Sequence, residues 1–120
     1  MPSLCQIMTA LATASSVFAL PYTKQSGSFT GDMTYYEPGL GACGQTNSAS
    51  QNVVALSPAQ YSGSCGKTIT ITKNGRSAQA KVVDLCPSCA SGSIDVSPAV
   101  FQSMADLTVG RMTVAWAYNN

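Results

Sequence analysis

Val82-Val83-Asp84-Leu85-Cys86-Pro87-Ser88-Cys89, followed closely by Ser93-Ile94-Asp95-Val96-Ser97-Pro98, is the stretch on which the reading of this chain turns. An apolar run ends on an acid, a short loop bounded by cysteines follows, and a second acid stands just before a Ser-Pro pair. Ser-Pro is a helix-start signal, because Ser fills the N-cap and Pro tolerates the first helical position. The 120-residue chain has only 5 acidic residues. Two of them in one such segment suggest a site, where a solvated surface would scatter them.

The flanking sequence gives this segment a β context. Thr68-Ile69-Thr70-Ile71-Thr72 alternates strictly, so both isoleucines face one side of a strand. Asn74-Gly75 is a strong hairpin signal, since both residues tolerate positive φ. Arg76 to Val83 returns as the partner strand, with Ala78, Ala80 and Val82 on one face. Beyond Pro98 a helix is predicted to about Ala105, its apolar stripe being Val100, Phe101 and Met104. After Gly110, Met112, Val114, Trp116 and Tyr118 alternate with Thr113, Ala115 and Ala117 in a last strand, which makes Trp116 a core residue. Toward the N-terminus, Ser28 to Tyr36 has strand character and is broken by Pro38, Gly39 and Gly41. Val53 to Leu56 is a short buried element, and Ser57-Pro58 starts a helical turn toward Tyr61. A sheet this small needs closing to protect its edges, so a small barrel is expected.

Composition narrows the function. Charged residues make up 9 % of the chain, with 6 Lys+Arg against 5 Asp+Glu. No basic stripe is present to attract nucleic acid, and no polybasic cluster to attract a membrane surface. With no His, the commonest metal ligand and general base are missing; no metal or cofactor is expected. Ile7 to Leu20 is an apolar and small-residue run, too short for a membrane anchor, and Val17-Phe18-Ala19 offers a cleavage site after Ala19. Residues 1–19 are therefore expected to be a signal peptide and 20–120 the mature, secreted and monomeric domain. Removing Cys5 with the leader leaves Cys43, Cys65, Cys86 and Cys89, an even set that reads as two disulfides in a small secreted chain. Zinc binding is less well matched, since Cys43 and Cys65 do not form a ligand pair.

Taken in order, Gly31-Asp32-Met33-Thr34-Tyr35-Tyr36, Gly41-Ala42-Cys43-Gly44, Cys65-Gly66-Lys67, Val83-Asp84-Leu85-Cys86-Pro87-Ser88-Cys89 and Ile94-Asp95-Val96-Ser97-Pro98, with a terminal strand holding Trp116, resemble the double-psi β-barrel superfamily. That superfamily takes in barwin proteins, expansins, rare lipoprotein A and family-45 glycoside hydrolases. The chain is most like its single-domain secreted members of loosenin type, and a small bacterial papain inhibitor of the same fold is also similar. The resemblance implies a mainly β, six-stranded barrel with one or two short helices and an open groove across one face. It also implies the pairing Cys43–Cys65, which leaves Cys86–Cys89; from the residues alone, Cys43–Cys89 with Cys65–Cys86 and Cys43–Cys86 with Cys65–Cys89 stay open.

The site residues implied by the resemblance are Asp84, as the central carboxyl of the groove, with Thr34 and Asp95 beside it. Thr34 is expected to hydrogen-bond Asp84. Expansins often have a Tyr two residues after the Asp84 position, where this chain has Cys86. Asp84 can give a proton to a glycosidic oxygen or bond a sugar, or else accept backbone N–H groups of the Cys86 loop in a purely structural role. Asp95 stands close enough to the helix start to interact with it instead. Tyr35, Tyr36 and Tyr61 offer faces for sugar stacking, but neighbours on a strand point to opposite sides, so at most one of Tyr35 and Tyr36 is expected in the groove, with the other in the core. In family-45 hydrolases the catalytic base follows the first strand's aromatic pair, where this chain has Glu37 in a Glu-Pro-Gly turn; hydrolysis is not expected. The leading expectation is a protein that binds cell-wall polysaccharide (cellulose, chitin or peptidoglycan) and loosens it without net hydrolysis. The alternatives are an inhibitor of a cysteine protease, or an effector, on the same scaffold, and a lytic glycan-cleaving enzyme.

Overall fold

Strict alternation of side chains builds most of the strands in the computed structural model, which describes residues 28–119. The leader expected over residues 1–19, with Cys5, lies outside the described residues. In chain order the elements are β1 (Ser28–Tyr35), β2 (Val53–Leu56), α1 (Pro58–Tyr61), β3 (Thr68–Lys73), β4 (Arg76–Leu85), β5 (Ile94–Val96), α2 (Pro98–Met104), a 3₁₀ turn at Leu107–Val109, and β6 (Met112–Tyr118). The six strands close into one barrel in the order β1-β5-β2-β4-β3-β6. The pairs β1–β5 and β2–β4 are parallel, and the rest are antiparallel. The expected six-stranded, mainly β barrel with two short helices is the architecture found.

The core follows from the pattern. Met33, Val54, Leu56, Ile69, Ile71, Val82, Ile94, Val96, Val114 and Trp116 fill the interior, and Val100, Phe101 and Met104 seal it with one face of α2. Each large apolar side chain buried this way contributes roughly 1.5–3 kcal/mol. Phe29 stacks on Trp116 with ring centroids 4.4 Å apart. Lys73 and Arg76 pair across the Asn74-Gly75 turn, whose φ angles of 51° and 81° are both left-handed, as this two-residue hairpin requires.

Both helix-start signals are used, though differently. Ser97 caps α2 by accepting from the Val100 N–H. Ser57 occupies the N-cap position of α1 but makes no side-chain cap. Its hydroxyl instead donates to Gln60 Oε1, which also accepts from the Gly92 N–H, and Gln60 Nε2 donates to Ser91 Oγ. One glutamine thus ties α1 to the loop ahead of β5.

Two backbone crossings need glycine. A Cβ on Gly31 would run into the carbonyl of Gly92 and the N–H of Ser93, and a Cβ on Gly92, at φ 85°, would meet the Thr30 carbonyl. Trp116 Nε1 donates to the same Gly92 carbonyl at 2.9 Å, fixing the crossing to the core. Gly41 lies as closely on the Val83 carbonyl, and the Cys43 N–H donates to that oxygen. The disulfides are Cys43–Cys65 and Cys86–Cys89, the pairing that the resemblance implied.

Candidate functional site

An irregularity in β4 decides where Asp84 points. Val82 pairs with Val54, yet Asp84, not Val83, pairs with Ala55, so the ladder slips by one residue there. Uninterrupted alternation from Ala80 and Val82 would carry Asp84 into the barrel interior. The bulge at Val83 reverses the phase and places it on the outer face with Ala55, away from Val54 and Leu56. Bulges re-aim side chains in this way at the ends of pairing.

Asp84 is held by donors on every side. One carboxylate oxygen accepts from the Ala42 and Leu85 N–H groups, both at 2.8 Å, and the other accepts from the Tyr36 hydroxyl at 3.2 Å. Asp84 does accept backbone N–H groups, but from Ala42 and Leu85 and not from the Cys86 loop, where the sequence placed the donors; the Gly41–Cys43 loop, brought in by its close approach to Val83, supplies one of them, beside the contact to the tyrosine. The hydroxyl of Tyr36 stays protonated, because burial first, and then the nearby Asp84 and Asp95 charges, push its pKa well above the usual tyrosine value.

The partnership expected between Thr34 and Asp84 is replaced by another. Thr34 lies directly opposite Asp95 in the parallel β1–β5 ladder, and its hydroxyl donates to Asp95 at 3.0 Å. Asp84 belongs to β4, which does not adjoin β1 in the barrel. Tyr36, two residues beyond Thr34 on the same face, spans the gap instead. Asp95 makes no cap for α2, since Ser97 does that. Its carboxyl is raised above the ordinary aspartate value by burial, an effect opposed by the Thr34 hydrogen bond and by Arg111, and reinforced by Asp84.

Alternation along β1 sorts the tyrosines. Met33 points into the core, so Asp32, Thr34 and Tyr36 share the outer face. Tyr35 lies on the opposite side and does not join the site. It is no core residue either: it is 36 % exposed, packs at a tilt against Phe101, and its hydroxyl donates to the Leu107 carbonyl. Tyr61 rests against the Cys43–Cys65 bridge, its hydroxyl 3.5 Å from Cys65 Sγ. Glu37 is exposed in the loop after β1. Trp116 is 2 % exposed and belongs to the core, as expected.

A cavity of about 220 Å³ opens beside Thr34 and Asp95, with the Cys86–Cys89 loop as one wall and Asp32 and Arg111 at its margin. Cys86, at the place where expansins often have Tyr, is part of that wall. The sequence reading missed Asp32 and Arg111. Asp32 was findable, since a two-residue step from Thr34 keeps to the same face of β1. Arg111 was not, because only the antiparallel pairing of β1 with β6 brings it across.

Barrel, glycine crossings and acid-bearing outer face together define a double-psi β-barrel protein with a polar groove. A family model described as "Lytic transglycolase" matches residues 28–116, and the chain belongs to that double-psi β-barrel family. It is 40 % identical over 114 residues to Allergen Asp f 7 of Aspergillus fumigatus, covering 88 % of this chain and 42 % of the allergen. It is 36 % identical over 100 residues to a papain inhibitor of Streptomyces mobaraensis, covering 74 % of this chain and 70 % of the inhibitor. Among solved structures, the Streptomyces papain inhibitor superposes with a TM-score of 0.73 at 34 % identity, covering 79 % of this chain and 96 % of that one. An expansin of Clavibacter michiganensis superposes with a TM-score of 0.71 at 24 % identity, over 78 % of this chain and 50 % of the expansin, a likeness of fold.

Proposed function

We propose that the protein is secreted and binds cell-wall polysaccharide along this groove, loosening contacts between chains without net hydrolysis. The observation that carries the reading is the paired set Thr34–Asp95 and Tyr36–Asp84 on one open face of the barrel. Two carboxylates, a hydroxyl and a protonated phenol, each held by a neighbour, offer fixed partners to sugar hydroxyls with little ordering cost on binding. Glu37, the position a hydrolytic base would need, stands exposed in the loop after β1 and is not part of this set. The fold can accommodate such a ligand: a variant of the Clavibacter expansin was solved in complex with cellohexaose.

A second reading, inhibition of a papain-like protease, is favoured by the 36 % identity to the Streptomyces inhibitor. One experiment separates the two: retention on cellulose, chitin and peptidoglycan, run beside papain inhibition and an assay for released reducing ends. Retention on cellulose or chitin without new reducing ends is the expected result. Papain inhibition without retention would replace the groove reading by the inhibitor. Reducing ends or anhydro-sugars, lost in Glu37→Gln, would make the protein a lytic enzyme.

A further inference from the structure

The cavity beside Asp95 does not include Asp84 or Tyr36 in its lining. It is a compartment at the Thr34–Asp95 end of the groove, and its lining sets polar and charged side chains against the Cys86–Cys89 bridge and Ile94. Asp32 accepts from Arg111 at 3.0 Å through one oxygen and from Thr113 at 3.4 Å through the other, while its N–H donates to Ser93 Oγ at 3.2 Å. Among the described residues the Arg111 guanidinium uses one of its five N–H donors on Asp32. Thr34 occupies one oxygen of Asp95, and the other has no hydrogen-bond partner among the described residues. Among those residues the hydroxyl protons of Ser88 and Ser93 are likewise not given to a carboxylate. Donors and acceptors with spare capacity therefore face one small space.

The Asp32–Arg111 pair does little for the fold. Its side chains are 43 % and 65 % exposed, and ion pairs this open to water add at most about 1 kcal/mol. Its effect is local: it fixes the guanidinium in the lining of the same cavity as Asp95, whose carboxyl the arginine's charge helps keep ionised. With one arginine against Asp32 and Asp95, the compartment carries a net negative charge and repels anions. At about 220 Å³ it falls below the range of drug-sized pockets, which start at roughly 300 Å³.

We propose that this compartment is a subsite for a single uncharged sugar unit, with Arg111 donating to one hydroxyl of a neighbouring pair and Asp95 accepting from the other, and Asp32 setting the orientation of Arg111. The proposal rests on the groove reading and adds to it a class of substrate: neutral glycans, with uronate-bearing chains excluded.

Titration of the isotope-labelled protein by NMR tests it, using cello-oligosaccharides and chito-oligosaccharides of increasing length and oligogalacturonate as the anionic probe. The expected result is shifts at the amides of Ser88, Ser93 and Arg111 with neutral oligosaccharides, and none with oligogalacturonate. Arg111→Ala should weaken binding about tenfold, as loss of a charge-assisted hydrogen bond does, with an unchanged melting temperature. Asp32→Asn should weaken it less, and Arg111→Lys should not restore it, because an ammonium lacks the planar donor fork. In the wild type, shortening the oligosaccharide by the unit that fills the compartment should cost affinity; in Arg111→Ala it should not. Binding of neutral oligosaccharides that spares these amides, with Arg111→Ala as tight as wild type, would overturn the subsite while leaving the groove reading in place. So would preferred binding of oligogalacturonate. No binding of any oligosaccharide or polymer by the folded wild type would overturn both.

Discussion

Two halves of β4 follow opposite rules. From Arg76 to Lys81 the strand pairs with β3 without a break, and the inward residues Ala78, Ala80 and Val82 face the core. From Val83 onward the register slips, the Gly41 and Cys43 backbone closes on the Val83 carbonyl, a cysteine-bounded loop follows, and an acid sits on the outer face. The regular half is stabilised by burial. The irregular half gives up regular pairing and uses backbone crossings and a cross-link to hold polar groups outward. The difference teaches that the site exists because alternation fails at one residue: had β4 continued in phase, Asp84 would be a buried charge inside the barrel, a costly place for it.

The comparison breaks most completely at the crossings. Gly92→Val would force a side chain at φ 85° onto the Thr30 carbonyl and disturb the Gly92 carbonyl that Trp116 uses. Both the strain and the overlap are with backbone, which cannot turn aside. Loss of the folded state is expected, read as absence of a cooperative thermal transition by circular dichroism; a cooperative melt close to wild type would show that the crossing is not essential. The disulfides come next, and they rank by loop length. Replacing Cys43 and Cys65 by Ser opens a 22-residue separation and should cost about 3 kcal/mol, whereas replacing Cys86 and Cys89 opens a separation of 3 and should cost about 2 kcal/mol. Denaturant midpoints give both values. The sharper contrast is functional, since only the second bridge walls the groove: polysaccharide retention should fall more in the Cys86/Cys89 variant, despite its smaller loss of stability.

Much of the regular half was legible in the chain. Thr68 to Thr72, the Asn74-Gly75 turn, the Pro98 helix and the Trp116 strand are local signals, and each stands where expected. The irregular half was legible only as a list of residues. Asp84, Asp95, Thr34 and Tyr36 do gather on one face, but their pairing was not readable, because it depends on which strands adjoin. The parallel β1–β5 ladder gives Thr34 to Asp95, and the bulge at Val83 leaves Asp84 to Tyr36. Nothing in the sequence near Val83 announces the slip, and the Gly41 backbone that closes on Val83 there comes from a distant part of the chain. Tyr35 left the groove by simple alternation and was kept from the core by the nearby 3₁₀ turn, whose Leu107 carbonyl takes its hydroxyl.

A smaller effect probes the same end of the molecule. Asp95 has a raised carboxyl in the folded chain, mainly through burial. Between the ordinary value of 3.8 and the raised one, the folded chain holds this proton more tightly than the unfolded chain does. The contribution of Asp95 to stability therefore declines as pH rises through that window, opposite in sign to a salt-bridged aspartate. Asp95→Asn removes this contribution. Urea midpoints measured from about pH 3 to about pH 7 should fall less steeply, or rise more, in the variant than in wild type. Identical profiles would place Asp95 in a more solvated setting than its burial in the groove implies.

The central claim is that the irregular half holds Asp84 outward for a ligand and that the barrel does not depend on its charge. Asp84→Asn keeps the shape and removes the charge, so the most direct measurement is disruption of a cellulose or chitin suspension by this variant, with its melting temperature recorded on the same preparation. The account predicts that disruption is lost while the variant melts within a few degrees of wild type, roughly what a change of under 1 kcal/mol produces. A folded Asp84→Asn protein that disrupts polysaccharide as well as wild type would contradict it.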